Sequence, residues 1–118
     1  MQKINSNLRS TIVGNLIFSI TIEGFLAILE KKNGNIIRIT DIFKEFRNKK
    51  NLKIKPTGFI LGSSNIYLTI TNGRLLIINI ESGYVEKVLK IDNKKISKPF
   101  ILEKNLYIIK ENGIIKLN

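Results

Sequence analysis

Asn65-Ile-Tyr-Leu-Thr-Ile-Thr-Asn-Gly73-Arg-Leu-Leu-Ile-Ile-Asn79 is two short apolar runs on either side of an Asn-Gly pair. Asn-Gly tolerates the positive φ that tight hairpin turns demand, so the stretch reads as two antiparallel strands. Two other stretches line up with it: Asn15-Leu-Ile-Phe-Ser-Ile-Thr-Ile-Glu-Gly24-Phe-Leu-Ala-Ile-Leu-Glu30 and Asn105-Leu-Tyr-Ile-Ile-Lys-Glu-Asn-Gly113-Ile-Ile-Lys-Leu-Asn118. After each glycine the second and fourth residues are aliphatic: Leu26 and Ile28, Leu75 and Ile77, Ile115 and Leu117. Alternation carried through a shared turn marks a β-hairpin. Glu23-Gly24 has one residue more than the Asn-Gly copies, which predicts a bulge there.

Working outward, a second turn follows ten residues after the first in both complete copies, at Asn33-Gly34 and Ser82-Gly83. The strand beyond it reads Ile36-Ile-Arg-Ile39 in one copy and Val85-Glu-Lys-Val-Leu89 in the other. Before each hairpin lies one more apolar run: Thr11-Ile-Val13, Phe59-Ile-Leu61 and Phe100-Ile-Leu102. Each unit is therefore four short antiparallel strands in roughly 40–50 residues, the size and content of one propeller blade. The predicted fold is all-β, a β-propeller fragment with two full four-stranded antiparallel blades plus three strands of a third. The blades fall at 8–43, 56–92 and 96–118, with a connector at 44–55 and turns at Gly24, Gly34, Gly73, Gly83 and Gly113. The central strands are apolar on both faces, as sheets stacked on both sides require. The third unit ends after its third strand, where closed propellers commonly receive a strand from the other end of the chain. The expected first partner is thus the remaining blades of the chain's own propeller.

Cysteine, histidine and tryptophan are absent. Disulfides, thiolate chemistry, Ser-His and Cys-His nucleophile pairs and standard zinc sites each need one of them. A hydrophobic fraction of 43% and a mean hydropathy of +0.05 argue for a core rather than disorder. The net charge of +11 invites a polyanion-binding reading. A plainer cause is codon bias: the chain has 24 isoleucines, 16 lysines and 14 asparagines, all encoded by A/T-rich codons. The lysines are also scattered over turns and strand ends, so no nucleic-acid partner is expected. Met1-Gln-Lys-Ile-Asn-Ser-Asn7 lacks the apolar segment of a secretory signal. Every apolar run is too short to span a bilayer as a helix.

The connector Asp41-Ile-Phe-Lys-Glu-Phe-Arg-Asn-Lys-Lys-Asn51 lengthens the first repeat, and Asp41 is placed to cap a short helix folding Ile42, Phe43 and Phe46 against the sheet. Its basic residues Lys44, Arg47, Lys49 and Lys50 are candidate partner contacts, although a solvated connector explains them as simply. Catalytic chemistry has little to stand on. Glu23, Glu30, Glu81 and Glu111 lie at turns, Asp41 and Asp92 at strand ends, and no spacing suggests a converging pair of carboxylates. No phosphate-binding loop or metal-ligand spacing occurs either. Tyr67 and Tyr107 sit two residues past the aligned asparagines, where Ile17 matches by count, and equivalent repeat positions usually serve the shared core. Arg74 and Tyr84 are the more exposed-looking contact candidates.

Glu23-Gly24-Phe-Leu-Ala27-Ile28 followed by Asn33-Gly34-Asn-Ile36, and Asn72-Gly73-Arg-Leu-Leu-Ile77 followed by Ser82-Gly83-Tyr-Val85, resemble the PQQ-like β-propeller repeat family. Where that family has a tryptophan, Arg38 and Lys87 stand here, which points away from the quinone-dependent dehydrogenases of the family. Lys98-Pro99-Phe100, Asn105-Leu-Tyr-Ile108 and the run after Gly113 are most similar to the C-terminal blades of the BamB lipoproteins. The resemblance implies a non-enzymatic scaffold without cofactor or metal, bound to an outer-membrane barrel assembly subunit. It implies the periplasmic face of the bacterial outer membrane, with membrane contact only through a lipid anchor outside this segment. The alternatives are a fragment of a PQQ-dependent dehydrogenase-type propeller and a basic polyanion-binding module.

Overall fold

The computed structural model describes residues 10–44, 54–92, 96–110 and 113–117 of the chain. Their strands are β1 (Thr11–Val13), β2 (Leu16–Ile20), β3 (Phe25–Glu30), β4 (Ile36–Asp41), β5 (Pro56–Leu61), β6 (Asn65–Ile70), β7 (Arg74–Asn79), β8 (Val85–Lys90), β9 (Phe100–Leu102), β10 (Asn105–Lys110) and β11 (Gly113–Lys116). They form three antiparallel sheets, β1-β2-β3-β4, β5-β6-β7-β8 and β9-β10-β11, each pairing strands in sequence order. The chain divides into two compact units, Met1–Lys55 and Pro56–Asn118, the first holding one sheet and the second two.

Both long hairpins close in the same way. The Gly73 N–H donates to the Ile70 carbonyl at 3.1 Å and the Gly24 N–H to the Thr21 carbonyl at 3.0 Å. Each loop thus has three residues and ends on a left-handed glycine, with φ of 78° at Gly73 and 94° at Gly24. The expected bulge at Glu23-Gly24 is absent: the turn and the register counted from the glycine are the same in both sheets, and only Asn15 lies one residue further out than Asn65. Phe18 pairs with Ile28 where Tyr67 pairs with Ile77. Register shifts lie further along, between Ile28 and Leu29 and between Ile77 and Ile78, at the same place in both sheets.

The β9–β10 turn uses no glycine. Leu102 pairs with Asn105, and Glu103 and Lys104 between them have φ of 51° and 67°. Two successive left-handed residues match the twist of the flanking strands, but each L side chain is strained there. Lys104→Gly is expected to stabilise the chain by about 0.5–1 kcal/mol, the relief of strain less the entropy that glycine loses. Chemical denaturation measures it; an unchanged or lowered midpoint would refute the strain argument.

In the first unit Phe18, Ile20, Leu26 and Ile28 share one face of the sheet and are buried, and Ile42 and Phe43 beyond β4 are buried too. In the second unit Leu75, Ile96, Leu106 and Ile108 form a core cluster between the two sheets, with Ile60, Tyr67, Ile77, Leu89, Ile91 and Leu117 packed against it. The opposite face of β6 and β7, carrying Ile66, Leu68, Leu76 and Ile78, is buried as well. These strands lack a solvent face, so isoleucine and leucine run on consecutively in place of the alternation seen in half-exposed sheets.

Candidate functional site

The most organised polar group lies at the β6–β7–β8 end of the second sheet, around Glu86. Asn65 Nδ2 donates to Glu86 Oε1 at 2.7 Å, and Asn79 Nδ2 donates to Oε2 at 3.1 Å. Asn65 Nδ2 also reaches the Ile78 carbonyl at 3.3 Å, and Ser64 Oγ reaches Asn65 Oδ1 at 3.1 Å. Asn79 Oδ1 accepts the Ser82 N–H at 2.9 Å, and Ser82 Oγ accepts the Tyr84 N–H at 3.2 Å. Backbone bonds from Gly83 N to the Asn79 carbonyl (2.8 Å) and from Asn79 N to the Tyr84 carbonyl (2.9 Å) close the same turn. Tyr84, at 72% exposure, is therefore a solvent-facing ring on a turn held from both sides. Charge-assisted bonds are the stronger kind, and two of them converge on this one carboxylate. Its chemistry is that of a structural acceptor fixing the shape of the turn.

The first sheet closes its equivalent turn by related means. The Gly34 N–H donates to the Glu30 carbonyl at 2.8 Å, Asn33 Nδ2 to Glu30 Oε2 at 2.9 Å, and the Lys32 N–H to Asn15 Oδ1 at 3.1 Å. Gly34 and Gly83 have φ of 73° and 77°, and Gly113, which opens β11, has φ of 147°.

Of the basic connector residues, Lys44 is exposed at the edge of the described stretch. Arg47, Lys49 and Lys50 lie outside the described residues, as do Phe46 and the rest of the expected helix. Asp41 Oδ1 accepts the Phe43 N–H at 3.2 Å. Arg74 is half-buried. Tyr67 packs on the core cluster of the second unit, and the Tyr107 ring stacks on Phe100 with centroids 5.5 Å apart and planes 19° apart. The register sets Phe18, and not Ile17, in the place of Tyr67. Phe18, Tyr67 and Tyr107 each stand six residues before the hairpin glycine. Counting back from the glycine finds an aromatic ring in all three repeats, whereas counting from the asparagine misses the first. Among the described residues no group of three acidic side chains could hold a metal ion.

No protein-family model matches the sequence, and no curated protein sequence does. Solved structures do match. BamB from Moraxella catarrhalis superposes with a TM-score of 0.72 at 11% identity, over 97% of this chain and 31% of its own length. The WD40 β-propeller domain of Doa1 gives 0.68 at 11% identity, over 92% and 34%. A quinohemoprotein alcohol dehydrogenase from Pseudomonas putida HK5 gives 0.66 at 13% identity, over 91% and 17%. The chain thus spans about a third or less of each of these proteins. At such identities the likeness shows architecture alone: the chain has a β-propeller fold, represented by two four-stranded antiparallel sheets and one three-stranded sheet.

Proposed function

We propose that the chain is part of a non-catalytic propeller scaffold for protein–protein interaction, of the kind that serves outer-membrane β-barrel assembly. In this reading it acts at the periplasmic face of the outer membrane, with any lipid anchor carried elsewhere in the protein. The observation that carries it is the Glu86-clamped turn, which presents Tyr84 to solvent in a fixed shape. A tyrosine held this way loses little entropy on contact, and aromatic anchors supply much of the energy of protein interfaces. The likeness to BamB gives the direction in which to look for the partner.

Calorimetric titration of the chain with the soluble periplasmic domains of a barrel assembly subunit tests this. Binding is expected to persist at high salt and to weaken about tenfold or more in Tyr84→Ala, the effect of losing an interface anchor. Lys44→Glu is expected to change it less, because rim charges act mainly on association rate. Absence of binding, or binding indifferent to Tyr84, would overturn the reading. A steep collapse of binding with salt would favour a polyanion-binding role instead.

A further inference from the structure

The two four-stranded sheets end on four edge strands, and three of these carry a device that discourages pairing with another chain. β1 has only three residues. β5 begins on Pro56 and has a register shift beside it. β8 exposes Glu86, Lys87, Val88 and Lys90, so three of its four exposed residues are charged. Short length, proline, irregular register and charge are the usual protections of an open edge. β4 differs. It has six residues, and the two it exposes are Ile37 and Ile39, at 51% and 52%.

The backbone of β4 is set to pair outward. The Ile42 N–H donates to the Gly24 carbonyl at 3.0 Å, and bonded pairs alternate along an antiparallel ladder. Thr40, opposite Leu26, therefore bonds inward to β3, and the N–H and carbonyl of Ile39, opposite Ala27, point to the open side. The same count from the Ile91 N–H on the Gly73 carbonyl makes Val88 the matching residue of β8. Val88 is flanked by Lys90 and by Glu86, the residue left over at the register shift; β4 has Asp41 and Ile37 at those places. The Asp41 carboxylate is turned to its own chain, where Oδ1 accepts the Phe43 N–H at 3.2 Å.

An outward-facing donor and acceptor on one residue are matched by another extended backbone, which makes the occupant a strand. More sheets of the same fold do not supply it. Within the second unit two sheets meet through their faces, at the cluster of Leu75, Ile96, Leu106 and Ile108, and among the described residues the three sheets share no ladder. Charge then selects among foreign strands. Between residues 30 and 44 the chain has four cations, Lys31, Lys32, Arg38 and Lys44, against the two acids Glu30 and Asp41. The three lysines are exposed and stand at both ends of β4. Antiparallel pairing of two copies through this edge would bring Lys44 of each to the Lys31–Lys32 turn of the other, in a chain whose net charge is already +11. A segment bearing carboxylates meets no such repulsion.

We infer that the outer edge of β4 takes an extended acidic segment of another protein as a fifth strand, with apolar residues beside Ile39 and carboxylates near the flanking lysines. This surface is separate from the Tyr84 turn and goes beyond the scaffold reading, which does not depend on it.

Hydrogen exchange at the Ile39 amide tests it, with a peptide of about eight residues in which valine and glutamate alternate. The peptide is expected to slow exchange of the Ile39 amide by about tenfold or more and to leave that of Val88 unchanged. A peptide with lysine in place of glutamate is expected to bind about tenfold more weakly, as read by fluorescence anisotropy. Ile39→Pro removes the outward N–H and spares the ladder to β3, because proline is tolerated where the N–H faces away from the sheet. It is expected to weaken binding of the acidic peptide about tenfold or more, the effect of leaving a peptide carbonyl without its donor. Ile39→Lys leaves the backbone as it is and is expected to weaken binding in the same direction. Tyr84→Ala is expected to bind the peptide as wild type does, which separates this edge from the Tyr84 surface. No slowing at Ile39, equal affinity for the lysine peptide, or wild-type binding by both Ile39 variants overturns the inference. Protection of Ile39 that rises with protein concentration and needs no peptide would make a second copy the occupant and overturn it as well.

Discussion

Gly24→Ala is expected to cost the Met1–Lys55 unit about 3–5 kcal/mol, more than a change of one methyl group ordinarily does. Two penalties coincide. The glycine sits at φ 94°, where an L side chain is strained by about 1–3 kcal/mol. A Cβ built there would overlap the Phe43 ring at Cγ and Cδ2 and lie 2.7 Å from Phe43 Cβ. Phe43 cannot easily yield. It is 2% exposed, its N–H donates to Asp41 Oδ1, and the adjacent Ile42 N–H donates to the Gly24 carbonyl at 3.0 Å. Overpacking of this kind adds about 1–3 kcal/mol of its own. A double-mutant cycle with Phe43→Ala separates the terms. The aromatic ring is lost in that background, so the two changes together should cost at least about 1 kcal/mol less than their sum. Strict additivity, measured by denaturant unfolding, would show that the ring and the glycine do not meet.

The Gly24–Phe43 contact also explains why the first connector begins as it does. β4 ends at Asp41, and the next two residues are apolar and turn inward onto the hairpin loop that opened the sheet's third strand. The second repeat has Ile91 and Asp92 at these places, bonded back to the Gly73 carbonyl at 2.9 and 3.2 Å. Both repeats return a backbone bond to the turn glycine, and the first adds the Phe43 ring where the second has Asp92.

Much of the fold was legible because the glycine turns and the strand alternation are local signals. The hairpin around Asn72-Gly73, its two relatives and the second turns at Gly34 and Gly83 each follow from a few adjacent residues. The register of the first repeat was not legible from its asparagine, since a one-residue difference can be taken up in a turn or along a strand, and only pairing tells which. The β9–β10 turn gave no signal, because Glu103 and Lys104 are not residues that favour positive φ. The Glu86 clamp was hidden for another reason. Asn65 and Glu86 are 21 residues apart and Asn79 is seven from Glu86, so they meet only once three strands are in register. Tyr84 could be singled out as exposed-looking from its turn position, but what holds that turn could not.

Ile108→Ala carries the second large effect and bears on how the sheets hold together. Ile108 is 0% exposed at the centre of β10, in the cluster with Leu75, Ile96 and Leu106. The β9–β11 sheet has one buried face, and this cluster is its hold on the β5–β8 sheet. Removing a buried isoleucine to Cβ costs about 2–5 kcal/mol, the upper part of the range applying where the walls cannot close on the cavity. Here the walls are strands fixed by their own ladders, which argues for the upper part. The next residue supplies the control. Ile109 points to the other face and is 47% exposed, so Ile109→Ala at low protein concentration should stay within about 0.5–1 kcal/mol of wild type. Hydrogen exchange should resolve where the loss falls. In Ile108→Ala the amides of β9–β11 lose protection first, while those of β2 and β3 in the other unit keep theirs, since local opening follows the buried contacts of each cooperative part. Equal costs for Ile108→Ala and Ile109→Ala would mean that the third sheet is not held by its buried face, and the sheet-on-sheet packing of the second unit would lose its physical basis.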